Sequence, residues 1–112
     1  MKQYIVLHQS VRNHPGVCAV QAAHAAGEAI RSAPIPATTV VCALMAETSD
    51  QLEEFAAVLT DLKIHHVVIR EPDPPYFGAA TAVGVEPLED ATALSLLRNW
   101  TRPFKLLRPE EK

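Results

Sequence analysis

The sequence of 112 residues is poor in residue types that mark special sites: it has two cysteines, four glycines and one tryptophan. By number and spacing, Cys18 and Cys42 indicate neither a disulfide framework nor a metal cluster, so we expect buried free thiols. No apolar run approaches the roughly 18 residues of a membrane-spanning helix. The first residues enter a strand pattern directly, without the apolar core of a signal peptide, so we expect a cytoplasmic protein.

Positive charge is also scarce, with ten Lys and Arg against 13 Asp and Glu and a net charge of -3. The composition therefore lacks the basic footprint typical of nucleic-acid-binding proteins. One stretch near the C-terminus interleaves four basic residues with two aromatic residues: Arg98, Trp100, Arg102, Phe104, Lys105 and Arg108. Two interpretations are open, namely phosphate contacts with base stacking, or solvated charges around two aromatic core anchors.

Alternating strand and helix patterns predict one α/β domain over residues 1–112, with a mixed four-stranded sheet and helices packed on both faces. Strands are predicted at residues 4–7, 38–45, 65–70 and 79–85, and helices at 15–30, 49–62 and 88–100. The first two strands are continuously apolar, which is typical of strands covered on both faces. Thr48 and Gln51 match a capping box at the start of the second helix. The last two strands are joined by a short loop and are predicted to be antiparallel.

The first helix carries the strongest candidate for a reactive surface. Four of its residues lie within roughly 60° of one another on a 3.6-residue period: Val17, Gln21, His24 and Glu28. The opposite side is predicted to carry small or apolar residues that lie close against the sheet: Ala19, Ala22, Ala26, Ala29 and Ile30. An imidazole and an amide one turn apart suit proton transfer and the orientation of a water molecule, or they simply bond to a neighbouring loop.

Several segments resemble type II peptidyl-tRNA hydrolases. The helix segment 19–25, Ala-Val-Gln-Ala-Ala-His-Ala, is similar to the family signature Ala-Ala-Gln-x-x-His-Ala. Residues 4–11 resemble the first strand of the family, residues 67–86 its second-half strands with their loop, and residues 104–107 its usual ending. The similarity is greatest to the peptidyl-tRNA hydrolase domain-containing branch, which has a similar loop near Glu71-Pro72.

The resemblance implies cleavage of the ester between a peptide, or an N-blocked amino acid, and tRNA, with neither a metal nor an organic cofactor. It also implies a homodimer. Four residues are the candidates for catalysis: Gln21, His24, Glu71 and Thr81. Six are the candidates for substrate binding: Ser10, Arg12, His14, Gly16, Val17 and Gly78. The free amides at the start of the helix suit a phosphate or an oxyanion.

Departures from the family pattern leave open whether the chain is an active enzyme. Val17 stands where the family commonly has a lysine, and His8 and Ser10 stand where it has arginine and aspartate. Glu71 replaces an aspartate, and Thr81 is the one threonine left of two. Loss of several cooperating polar groups costs orders of magnitude in rate. Two alternatives therefore remain: a catalytically reduced relative that binds RNA or a protein partner, and a hydrolase for another small ester or amide.

Overall fold

The strand of nearly uninterrupted apolar residues at the N-terminus lies in the middle of the sheet. The computed structural model describes residues 1–30, 38–101 and 104–106. Its helices and strands, in chain order, are β1 (Lys2–His8), α1 (Pro15–Glu28), β2 (Val40–Ala46), α2 (Ser49–Asp61), β3 (His66–Arg70), β4 (Ala80–Val85), α3 (Asp90–Trp100) and β5 (Lys105–Leu106). A short 3₁₀ turn, Gln9–Val11, joins β1 to the loop before α1. The predicted end of the first helix at Ser32–Pro36 falls outside the described residues, and α1 ends before it at Glu28.

The sheet is mixed, as predicted, and its strand order is β3-β4-β1-β2-β5. Strands β1 and β2 are parallel, and the other three neighbouring pairs are antiparallel. The sequence predicts four strands, and the structure adds a fifth, β5, which pairs with Leu44 and Met45 of β2. Two residues are too few to show a strand periodicity, which is why the pattern misses this strand.

Alternate side chains of β1 contribute to two separate cores. Ile5 and Leu7 pack with Ala25 of α1, whereas Tyr4 and Val6 belong to the core beneath α2 and α3. Burial of β1 on both faces explains why its sequence is continuously apolar. The prediction that helices cover both faces of the sheet is confirmed.

Helix α1 lies almost directly against the backbone of β4. The contact depends on Gly84, where an added Cβ would lie 2.1 Å from the carbonyl oxygen of Ala25. The buried or half-buried residues of α1 are Cys18, Gln21, Ala22, Ala25 and Ala26. Ala19, also predicted to face the sheet, is exposed. Cys18 and Cys42 are free thiols, as expected, but they are half-buried rather than fully buried.

Helix α2 begins at the predicted capping box. Thr48 Oγ1 accepts from the Gln51 N–H at 3.2 Å, and Gln51 Oε1 accepts from the Glu47 N–H at 2.8 Å. The helix carries four carboxylates and no Lys or Arg: Asp50, Glu53, Glu54 and Asp61. Its surface is therefore strongly acidic.

The aromatic residues near the C-terminus differ in exposure. Phe104 packs edge-to-face on Phe55 with ring centroids 5.2 Å apart, which fits a core anchor. Trp100 is 45% exposed. Lys105 forms an ion pair with Glu47 at 3.7 Å. Arg102 and Arg108 lie outside the described residues, so the phosphate-binding interpretation of this stretch stays a prediction. Within the described ranges, no helix is long and apolar enough to cross a membrane.

Candidate active site

A cavity of about 310 Å³ opens between the first half of α1 and the loop that joins β3 to β4. Its lining combines glycine and valine residues with one amide and one carboxylate: Gly16, Val17, Val20, Gln21 and Glu71. Gln21 and Glu71 are two of the predicted catalytic residues, and Gly16 and Val17 are two of the predicted substrate-binding residues. The fold therefore brings together residues that are about 50 positions apart in the chain.

Two side chains of the cavity lining, Gln21 and Glu71, carry hydrogen-bond acceptors. The side-chain oxygen of Gln21, Oε1, is buried, and no described residue donates to it. Glu71 is half-buried, and its Oε1 accepts from the Asp73 N–H at 3.3 Å. A buried carbonyl oxygen without a donor is unfavourable, so this position favours a bound group that donates a hydrogen bond. A water molecule has two protons that can be donated in hydrogen bonds.

The loop of residues 71–79 holds Glu71 through a compact set of backbone hydrogen bonds. The Gly78 N–H donates to the Glu71 carbonyl at 2.8 Å, and the Ala79 N–H donates to the Tyr76 carbonyl at 3.0 Å. Gly78 has a φ of 89°, in the left-handed region that glycine adopts without steric cost. The predicted substrate-binding residue Gly78 thus closes the loop at its base.

The other two predicted catalytic residues do not line this cavity. His24 lies one turn beyond Gln21 on α1, half-exposed, and its Nε2 is 3.3 Å from the carboxylate of Glu28. Thr81 is fully buried, and its hydroxyl donates to the Ile69 carbonyl at 3.3 Å. It is the extra residue of a β-bulge, because Arg70 pairs with Ala80 and Ile69 pairs with Ala82. Catalytic roles for both residues stay predictions.

Three predicted substrate-binding residues belong to the connection between β1 and α1. His14 is the exposed N-cap residue of α1, and its side chain makes no capping bond. Arg12 follows the 3₁₀ turn and is half-buried. Ser10 lies within that turn, and its hydroxyl bonds to His8 and Tyr76.

His8 and Tyr76 are polar residues that the sequence does not single out for this site. His8 Nδ1 lies 2.9 Å from Ser10 Oγ, and the His8 and Tyr76 rings meet edge-to-face with centroids 6.0 Å apart. His8 and Tyr76 do not form a recognisable sequence motif together. The available signals were the position of His8 at the end of a buried strand and that of Tyr76 in a proline-rich loop.

The stability of this corner is expected to depend on pH, because burial lowers the pKa of His8 below its usual 6.5. Between the two pKa values the unfolded chain binds more protons, so folding stability is full above about pH 6.5 and falls as pH drops toward the lower native pKa. We expect a larger loss of the urea midpoint between pH 7.5 and 5.5 in the wild type than in His8→Asn. Equal losses in the two proteins would contradict this assignment.

Within residues 1–30, 38–101 and 104–106, no group of three or more His, Cys, Asp or Glu side chains is placed to hold a metal ion.

The comparison with protein families agrees with the resemblance of the sequence motifs. A comparison with curated proteins gave no match. The family model described as peptidyl-tRNA hydrolase PTH2 matches residues 1–107. Because that match spans nearly the whole chain, the protein belongs to the peptidyl-tRNA hydrolase PTH2 family.

Proposed function

We propose that this protein hydrolyses the ester that links a peptide, or an N-blocked amino acid, to tRNA. The observation that carries the proposal is the cavity that Gln21 and Glu71 line together. We propose that the Gln21 amide turns its oxygen toward this cavity, where it and the Glu71 carboxylate each accept a hydrogen bond from one water molecule. About 310 Å³ leaves room for the ester beside that water, since one water occupies roughly 30 Å³ in the liquid.

In the proposed reaction, Gln21 orients the water and Glu71 acts as general base. The water oxygen attacks the ester carbonyl carbon while Glu71 takes a water proton. The tetrahedral intermediate then collapses, the bond to the ribose oxygen breaks, and Glu71 returns the proton to that oxygen. The products are a free carboxylic acid and tRNA with its terminal hydroxyl restored.

The start of α1 supplies donors to this reaction. Cys18 is the first residue of α1 whose N–H bonds to a backbone carbonyl, that of His14 at 2.9 Å. The N–H groups of Gly16 and Val17 precede it, and such leading amides have no partner inside a helix. They suit the developing oxyanion or a phosphate of the tRNA. Because Val17 carries no cation, Arg12 and His14 are the side chains that we assign to phosphate contacts.

His24 and Thr81 are assigned supporting roles. His24 has to leave Glu28 before it contacts a group in the cavity, and an exposed side-chain contact of this kind contributes little free energy. Thr81 holds the bulge behind the loop through its bond to Ile69. We propose that His24 acts on the substrate after this rearrangement, and that the Thr81 hydroxyl contacts a substrate carbonyl only if the loop moves.

The test is release of the amino acid from N-acetyl-aminoacyl-tRNA by the purified protein. We expect turnover that is lost in Gln21→Ala and reduced in His24→Ala. Size-exclusion chromatography of the same samples tests the homodimer that we propose for this family member. Absence of turnover in the wild type would reject the proposed activity.

A binding role without catalysis is the second candidate, and one observation favours it. Val17 and Val20 are 52% and 69% exposed, so the mouth of the cavity is apolar where the family commonly has a lysine. An apolar rim suits a protein segment or the peptide part of a ligand more than a phosphate. A salt-sensitive gel shift with tRNA, without turnover, would favour an RNA-binding module. Cleavage of small esters without tRNA affinity would favour a different hydrolase.

A further inference from the structure

We infer that Tyr76, Ser10 and His8 form a chain of positioning residues that sets the distance between the two walls of the cavity. The inference rests on the proposed function for its catalytic readout. Tyr76 belongs to the loop that carries Glu71, whereas Ser10 and His8 belong to the segment that leads into α1. The Tyr76 hydroxyl bonds directly to Ser10 Oγ, which in turn lies 2.9 Å from His8 Nδ1.

The hydrogen bonds define the role of His8 in this chain. The backbone N–H of Ser10 donates to His8 Nδ1 at 3.1 Å, so Nδ1 carries no proton and acts as an acceptor. The Ser10 hydroxyl lies between this nitrogen and the Tyr76 hydroxyl, and it links the two whichever hydroxyl donates in the bond to Tyr76.

The loop transmits this anchoring to Glu71. The Tyr76 N–H donates to the Asp73 carbonyl at 3.0 Å, and the Asp73 N–H donates to Glu71 Oε1 at 3.3 Å. At the base of the loop, Gly78 and Glu71 are joined at 2.8 Å. A link at Tyr76 thus fixes a hydrogen-bonded unit that includes the carboxylate itself. Its other end is attached to the turn that precedes α1.

None of the three anchoring residues is among those that line the cavity. Their removal is therefore expected to act through geometry rather than through a lost substrate contact. A shift of about 1 Å in a catalytic group lowers the rate by up to roughly 100-fold, whereas binding is less sensitive. The expected signature is a fall in kcat at nearly constant KM.

Tyr76→Phe is the central variant, and Tyr4→Phe is its matched control. The chain has two tyrosines, and the Tyr4 hydroxyl donates to the Ala93 carbonyl at 3.2 Å in the core beneath α3. With N-acetyl-aminoacyl-tRNA, we expect kcat to fall about tenfold in Tyr76→Phe and to stay at the wild-type value in Tyr4→Phe. We also expect several-fold faster amide exchange at Gly78 in Tyr76→Phe alone. Unchanged kcat together with unchanged exchange would overturn the inference.

A second pair of variants tests the acceptor role of His8. Asparagine can accept from a backbone N–H two residues later, as the His8 ring does here. His8→Asn is therefore expected to retain more of the wild-type kcat than His8→Ala, and equal losses would contradict the role. If the wild type shows no turnover, the proposed function fails. The amide exchange at Gly78 in Tyr76→Phe then still decides whether the anchoring chain exists.

Discussion

Glu71→Gln is expected to lower kcat on N-acetyl-aminoacyl-tRNA by about 10²- to 10⁴-fold, the range that a positioned general base contributes. Glutamine keeps the shape of the side chain and one acceptor oxygen for the Asp73 N–H, which Glu71 accepts at 3.3 Å. It cannot take a proton from the attacking water. KM is expected to change little because the cavity keeps its size, and single-turnover kinetics will separate the chemical step from binding.

Glu54→Gln is the matched control for this experiment. Glu54 lies on α2 beside the groove against α3, and α2 covers the opposite face of the sheet from α1. Glu54→Gln removes the same negative charge as Glu71→Gln and is expected to leave kcat unchanged. A wild-type rate in Glu71→Gln would show that another group takes the proton, and His24 would become the first alternative. Equal losses in both variants would point to net charge instead.

Gly84→Ala is expected to cause the largest loss of folding stability, about 3 kcal/mol, as overpacking of a tight interior does. The new methyl group would lie 2.1 Å from the Ala25 carbonyl oxygen and 2.6 Å from the carbonyl carbon. Both are backbone atoms of α1, so no side-chain rotation relieves the clash. The helix has to move away from β4, and Gln21 moves with it. The midpoint of urea unfolding, followed by circular dichroism, measures the effect.

Gly27→Ala is the control for the same substitution at a site with room. Gly27 lies within α1, and nothing lies within 4 Å of an added Cβ. Alanine favours the helix over glycine by about 1 kcal/mol, so this variant is expected to be more stable than the wild type. A common direction of change in both variants would contradict the close approach of α1 to β4.

Local patterns predicted most of the fold. The apolar run of β1, the Pro15 start of α1 and the Thr48 cap each depend on residues that are close in sequence. Such signals arise from backbone sterics and from the first free amides of a helix, which do not need the rest of the chain. The exposure of Ala19 shows the limit: an alanine-rich helix has little contrast between its faces, so its rotation is poorly specified.

Features that depend on distant partners were not predictable from the sequence. Ser10 and Tyr76 are 66 positions apart, and nothing in either segment indicates that their hydroxyls meet. The bulge at Thr81 arises from the pairing of β4 with β3, not from the residue itself. For the same reason, the motif predicted Gln21 as a site residue, while the cavity that it shares with Glu71 emerged only from the packed structure.

The acidic surface of α2 restricts the side of the protein on which tRNA can bind in the proposed complex. Glu53 pairs with Arg70 at 2.6 Å, and the other three carboxylates of α2 repel a polyanion. We therefore propose that tRNA approaches from the side of α1, where Glu28 is the one acidic residue of the helix. Repulsion of this kind reaches about 8 Å at physiological ionic strength. Added salt weakens the repulsion from α2 as well as the attraction near Arg12. The affinity for tRNA is therefore expected to decline less steeply with salt than that of a uniformly basic binder.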